Sequence, residues 1–231
     1  MKQVKVCLGR FQPMTLGHLK MATYTNLKGP KDIQGYRGLV KQSELLREQP
    51  DLDAISKQKT VIFAIYTSKD KVDQKHPFDV DLIKKELDIV RNNYPEIEDI
   101  IYVSSADICQ WGEILKKAGY QASVWLTGSD EAKGYVEMAM KVPEYEEHNR
   151  NNRDCKGAYT KSFYVESIER TNDSDFLSSI SGTKVREAIL NDDIEYFNKA
   201  MPNGTDILFD EMKQAILNAP EKSINKRSSH I

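Results

Sequence analysis

A short apolar run through Val4, Val6 and Leu8 leads into Gly9-Arg-Phe-Gln-Pro-Met-Thr-Leu-Gly-His18, and a helical pattern through Leu19, Ala22 and Leu27 leads out. A strand that ends in glycine, turns through a proline and opens a helix is tightly constrained. The first N–H groups of the helix lack intrahelical partners, and the helix dipole favours an anion beside them. Gly9 and Gly17 allow close approach to the backbone. Thr15 contributes a hydroxyl, and His18 a ring N–H able to meet a phosphate oxygen. This corner predicts phosphate binding, and the rest of the chain reads as its scaffold.

Farther along, Thr60–Tyr66 is a nearly continuous apolar run, the pattern of a strand buried on both faces and hence of a parallel sheet. Further strands are expected at 100–103, 123–127 and 163–168, the first of all at 4–8. Helices are expected at 16–27, 79–90 (capped by Asp79, with Phe78 stapling onto Ile83), 108–118 ended by Gly119, and 131–142. The alternation predicts an α/β class: a Rossmann-like, doubly wound parallel sheet of about five strands, with C-terminal helices near 180–190, 194–200 and 206–217. Ligands of such sheets bind beyond the carboxyl ends of the strands, where the strand order switches. The Gly9–His18 turn and the turn at Gly128-Ser-Asp130 both follow strand ends and so belong on one edge. Residues 1–200 are expected to form the main domain, and 201–231 a C-terminal helix and frayed tail. Between 28 and 59 lies a polar insertion of about 30 residues, long for a connector, with a short helix expected at Val40–Glu48. It reads as surface decoration, with a flap over the substrate as the alternative.

The 231 residues carry 33 basic and 35 acidic side chains, a net charge of −2. That balance gives no global pull toward nucleic acid or an anionic membrane, so affinity for polyphosphates must be local. No apolar run approaches the ~20 residues of a membrane span, and the chain is expected to enter its first strand without an apolar leader. Three cysteines (Cys7, Cys109, Cys155), odd in number and without Cys-x-x-Cys spacing, read as reduced thiols of a cytoplasmic protein. The Asn-x-Ser/Thr sites at Asn172 and Asn203 then carry no meaning.

A second phosphate-type corner is Ser181-Gly-Thr-Lys-Val-Arg186. Ser181 or Thr183 can cap a helix, Gly182 permits close approach, and Lys184 and Arg186 add positive charge. Ordinary helices also begin this way. Paired with the first corner, however, it can grip a triphosphate from both ends.

Together, Gly9-Arg-Phe-Gln-Pro-x-Thr-x-Gly-His18 and Ile180-Ser-Gly-Thr-x-x-Arg186 resemble the two signature motifs of the nucleotidyltransferase superfamily. The wording is most similar to the nicotinamide-mononucleotide adenylyltransferases and to nucleotidyltransferases of large tailed bacteriophages. Gly128-Ser-Asp130 is similar to a third motif, and Lys75-His-Pro-Phe78 to an Asn-Pro-Phe-type segment. The resemblance spans residues 1–200. It implies in-line attack by an acceptor phosphate on the α-phosphorus of ATP, with pyrophosphate leaving. His18 and Thr15 would contact the α- and β-phosphates, and Arg186 the β- and γ-phosphates. Gly9, Arg10, Phe11, Gln12, Gly17, Gly128, Asp130, Ser181, Gly182, Thr183 and Lys184 would line the nucleotide site. Mg²⁺ is expected on the triphosphate, without a metal site of the protein's own. Many members have histidine where this chain has Thr15, which makes that contact a neutral one. The aromatic residues and Asn that cradle nicotinamide in this branch have no clear counterpart between Asp130 and Ser179.

An acceptor phosphate is mostly deprotonated at pH 7, with a second pKa near ~6, so the reaction needs no protein base. What the chain must supply is alignment and charge stabilisation. Two other readings remain open: a cytidylyltransferase using CTP on a phosphorylated alcohol or sugar, and a non-catalytic nucleotide-binding module. Lys69, Lys71, Lys75 and His76 could steer polyphosphate or be a solvated loop. Trp111 and Trp125 could stack on a base, but core or surface filling is the weightier reading; His148 reads as surface, and His230 lies in the tail. Self-association is left open.

Overall fold

The computed structural model describes residues 1–44, 46–66, 71–104, 107–143, 154–169 and 176–220. The expectations for Lys69, His148, Asn172, His230 and the tail from 221 fall outside them. Strands β1 (Lys2–Gly9), β4 (Thr60–Ile65), β5 (Ile97–Val103), β6 (Tyr120–Gly128) and β7 (Tyr159–Ile168) form one sheet in the order β5-β4-β1-β6-β7. Every neighbouring pair is parallel. The chain builds outward from β1 to β5, then returns to the other side of β1. The order therefore switches at β1, and the crevice of a doubly wound sheet opens beyond its carboxyl end.

The uninterrupted apolar runs are buried on both faces, as expected. From β1 and β4, Val4, Val6, Leu8, Val61 and Phe63 join Trp111, Leu115 and Trp125 in one core layer. Cys7, Ile62 and Ala64 point the other way, joining Phe11, Met14, Phe78, Ile83, Leu87 and Phe197. Trp111 and Trp125, each 1% exposed, meet edge to face and fill core. All three cysteines are buried thiols.

Helix α1 (Leu16–Ala22) ends five residues short of the expected limit. The Thr23 hydroxyl turns back onto the Leu19 carbonyl there, and Leu27 packs from a loop against Val124, Leu126 and Tyr164. Its apolar spacing reflected burial, not helix. The helix expected at Val40–Glu48 is absent from the described residues of that stretch. A two-residue hairpin pair, β2 (Ile33–Gln34) and β3 (Leu39–Val40), is followed by a single 3₁₀ turn at Gln42–Glu44 and the short helix α2 (Leu52–Ser56). The reason is edge protection. Gln42, 2% exposed, donates to the Val165 carbonyl and accepts from the Val165 N–H, pairing with edge strand β7 as a neighbouring strand would. Arg47 N–H bonds Lys161, and the Glu166 carboxylate accepts the Lys28 and Gly29 N–H groups.

Helices α3 (Val80–Asn93), α4 (Ile108–Lys117) and α5 (Ala132–Ala139) lie against the sheet. Asp79 caps α3 through the Asp81 and Leu82 N–H groups, and Gly119, at φ +83°, ends α4. After β7 come α6 (Phe176–Ser179), α7 (Gly182–Leu190), α8 (Ile194–Ala200), a 3₁₀ turn (Thr205–Leu208) and α9 (Phe209–Asn218). Met201, Leu208 and Met212 bury with Phe197 in the layer that also holds Phe11 and Met14. No described helix is long and apolar enough to cross a membrane.

Candidate active site

Beyond the end of β1 lies a cleft of about 320 Å³, walled by Gly9, Arg10, Phe11, Gln12, Pro13 and His18 on one side and Gly182, Thr183 and Arg186 on the other. Lys75, His76, Glu131 and Tyr135 close it further. Two helix starts separated by most of the chain thus face one space.

At the first corner the chain must fold back sharply. Phe11 has φ +45°, a conformation rare outside glycine, and its ring returns beneath Gly9. A Cβ on Gly9 would stand 2.7 Å from that ring, so glycine is required there. The Phe11 ring meets the His18 imidazole edge to face at 5.4 Å. Thr15 N–H donates to His18 Nδ1 at 3.1 Å, so in the neutral ring the proton sits on Nε2. The Thr15 hydroxyl is buried and lies 3.1 Å from the same Nδ1. Thr15 therefore stands behind the imidazole rather than on the cleft wall. Gln12, 7% exposed, spends its side-chain amide on both backbone groups of Phe78, at 2.8 and 2.9 Å, and offers the cleft its main chain.

At the second corner Ser181 Oγ accepts the Lys184 N–H, capping α7. The Arg186 guanidinium donates to the Gln12 carbonyl and, at 3.2 Å, to Thr183 Oγ1. Half-burial draws its pKa below the usual value, opposed by Glu187, and a guanidinium remains charged at neutral pH. Gly182 lets the helix start approach, since a Cβ there would meet the Gln12 carbonyl oxygen at 2.9 Å.

His76 brings a second imidazole of opposite character. Its Nδ1 lies 3.3 Å from Asp73 Oδ1, which also accepts the His76 N–H, so Nδ1 carries the proton and Nε2 the lone pair. Burial, then the Arg10 and Lys75 charges, lower its pKa against the pull of Asp73, and the ring is neutral at pH 7. Cys7 beneath the cleft is no nucleophile: burial, aided by the Glu131 carboxylate, pushes its pKa to about 12.

Of the residues expected from sequence, Gly17, Ser181 and Lys184 support the helix starts without lining the cleft, and neither Gly128 nor Asp130 reaches it. Asp130 folds back over Gly128, where its Oδ1 would lie 2.6 Å from an added Cβ. The wall near the end of β6 comes instead from Glu131 and Tyr135, one and five residues later. Sequence reasoning missed this pair; its only signal was an acid and an aromatic four apart at a helix start that follows a strand.

The sequence matches no protein-family model and no curated protein. Solved structures do match. The chain superposes on a Plasmodium falciparum nicotinic acid mononucleotide adenylyltransferase complexed with NaAD with a TM-score of 0.50 at 14% identity, covering 90% of this chain and 94% of that one. The same protein complexed with APC gives a TM-score of 0.50 at 13% identity, covering 94% and 98%. The chain shares the fold of that adenylyltransferase. Its five-stranded parallel sheet switches order at β1, and the cleft sits at that switch. Among the described residues no group of three His, Cys, Asp or Glu side chains could hold a metal ion.

Proposed function

We propose that the protein is a nucleotidyltransferase that moves AMP from ATP to a phosphorylated small molecule, with nicotinamide mononucleotide as first acceptor and NAD as product. One observation carries the reading: His18 and Arg186, which the sequence separates by most of its length, wall a single cleft together with the Gly9–Pro13 turn and Gly182-Thr183 at the start of α7. The adenylyltransferase fold supports it. An acceptor phosphate oxygen attacks the α-phosphorus, and the bond to the α,β-bridging oxygen breaks, releasing pyrophosphate. His18 donates Nε2–H to an α-phosphate oxygen and stabilises the charge that grows there. Arg186 holds the β- and γ-phosphates, assisted by Thr183 and the N–H groups at the start of α7. Thr15 orients the imidazole. Arg10 and Lys75 add positive charge beside the triphosphate. Mg²⁺ bound to the triphosphate would neutralise charge on the leaving oxygens, with Arg186 holding the β- and γ-phosphates beside it.

The test is pyrophosphate release with Mg²⁺, each nucleoside triphosphate in turn, and nicotinamide or nicotinic acid mononucleotide. ATP with nicotinamide mononucleotide should give pyrophosphate and NAD in equal amounts. Release only with CTP and a phosphorylated alcohol would overturn the acceptor and the nucleotide. No release with any pair, despite triphosphate binding, would leave a binding module.

A further inference from the structure

Two consecutive amides set the first corner. Met14 N–H donates to Glu86 Oε1 at 2.9 Å, and the next amide, Thr15 N–H, donates to His18 Nδ1. Glu86 lies on the inward face of α3 among Leu82, Ile83, Leu87 and Val90 and is 1% exposed. Its second oxygen has no hydrogen-bond partner among the described residues. An apolar side chain would fill that core position without the cost of a buried acid. What only a polar side chain provides is an acceptor for a buried N–H in a loop outside any regular element.

We propose that Glu86 is a positioning residue for His18: by holding the Met14 N–H it fixes the Pro13–Met14 peptide, the plane immediately before the Met14–Thr15 peptide whose N–H meets Nδ1, and through that neighbour the Nε2–H form and direction of the imidazole. Glu86 itself touches no ligand-facing atom. Burial raises its carboxyl well above the usual carboxylate range, against the opposing bond from Met14, and a protonated carboxyl still offers a carbonyl oxygen to that bond. An amide should therefore replace it, and a hydrocarbon should not.

The effect on turnover rests on the proposed function; the effect on the imidazole does not. Steady-state kinetics of E86Q and E86L, together with ¹⁵N shifts of the His18 ring (assigned by their loss in H18A), test both. E86Q should keep kcat within about threefold, whereas E86L should lose ~30- to ~100-fold in kcat with the triphosphate KM moved less than about threefold. The Nε2–H signature should persist in E86Q and weaken in E86L. An E86L protein with wild-type kcat, or with an unchanged His18 ring, overturns the proposal, as does an E86Q protein as impaired as E86L. If E86L does not fold, E86D, which keeps the acid but retracts the acceptor by one methylene, replaces it under the same criteria. A wild-type protein without turnover would sink the proposed function alone, and the ring shifts would then decide the positioning role.

Discussion

At the Gly9–His18 corner the hydrogen bonds run to distant parts of the chain: the Gln12 side chain meets the Phe78 backbone across 66 residues, and the Met14 N–H meets the Glu86 side chain across 72. At the Ser181–Arg186 corner the bonds are local, Ser181 to Lys184 and Arg186 to Thr183, each three residues apart. A long-range bond, from Arg186 to the Gln12 carbonyl across 174 residues, joins one corner to the other. The first corner is thus set by the packed sheet and α3, while the second is a helix start that largely makes itself and is then tied to the first. Precision resides where the loop is irregular and would otherwise have many conformations. A regular helix N-terminus needs only its cap.

Removing the reacting end of the first corner should have the largest consequence. H18A is expected to lower kcat by ~100-fold or more, by analogy with deleting a donor to a developing oxyanion. The Thr15 N–H loses its acceptor as well, so stability should fall by about 1 kcal/mol. Steady-state pyrophosphate release and denaturant titration read the two effects separately. Turnover at the wild-type level in H18A would remove His18 from the chemistry and leave the first corner a purely structural turn.

The tie between the corners can be strained at Gly182. A methyl group there would stand 2.9 Å from the Gln12 carbonyl oxygen, which is backbone and cannot swing aside. G182A should push the α7 start outward and cost ~10-fold in kcat, with weaker triphosphate binding. G134A is the control: an added Cβ in α5 meets only a Tyr36 ring carbon at 3.6 Å, and alanine suits a helix interior better by about 0.5–1 kcal/mol. If G182A matches the control in both activity and melting temperature, the close approach of the two corners has no functional weight.

The same contrast explains what could be read before any fold was known. Local features were legible: the glycine, proline and hydroxyl residues of both corners, the Asp79 cap, and the apolar run of β4, whose two-sided burial dictated a parallel sheet. Strand alternation places the Gly9–His18 and Gly128–Asp130 turns on one edge, and of these only the first lines the cleft; the convergence of the Ser181–Arg186 corner rests on pairing two phosphate-type helix starts. Features resting on distant partners were not legible. Glu86 is one acid in a helix rich in Lys, Asp and Glu, and nothing nearby marks it as the one that turns inward to Met14. Gln42 sits in a stretch with helical spacing, yet its amide is recruited by the open edge of β7. Gln12 was counted toward the nucleotide because it belongs to the motif, while its side chain is spent on Phe78. In each case a polar side chain was taken by a backbone group more than sixty residues away, and periodicity carries no record of such a pairing.

The smallest expected effect separates the corners by their response to pH. In the fold, burial holds the Glu86 carboxyl well above the usual range, with the Tyr102 ring of β5 as its titratable neighbour; in the unfolded chain it ionises as an ordinary glutamate. A raised acid favours folding fully below its unfolded pKa, and the benefit fades as pH rises toward the folded value, because the unfolded chain releases a proton that the fold retains. E86Q has no such proton. Urea denaturation should therefore find E86Q and wild type close near pH 4 and E86Q increasingly the more stable toward pH 8, with a slope no steeper than the ~1.4 kcal/mol per pH unit of a single proton. The second corner is capped by hydroxyls that do not titrate in this range, so S181A should lose about 1 kcal/mol evenly across it. A pH-independent gap for E86Q would mean that Glu86 is ionised in the fold, and the first corner would then hold a buried charge in place of a neutral acceptor.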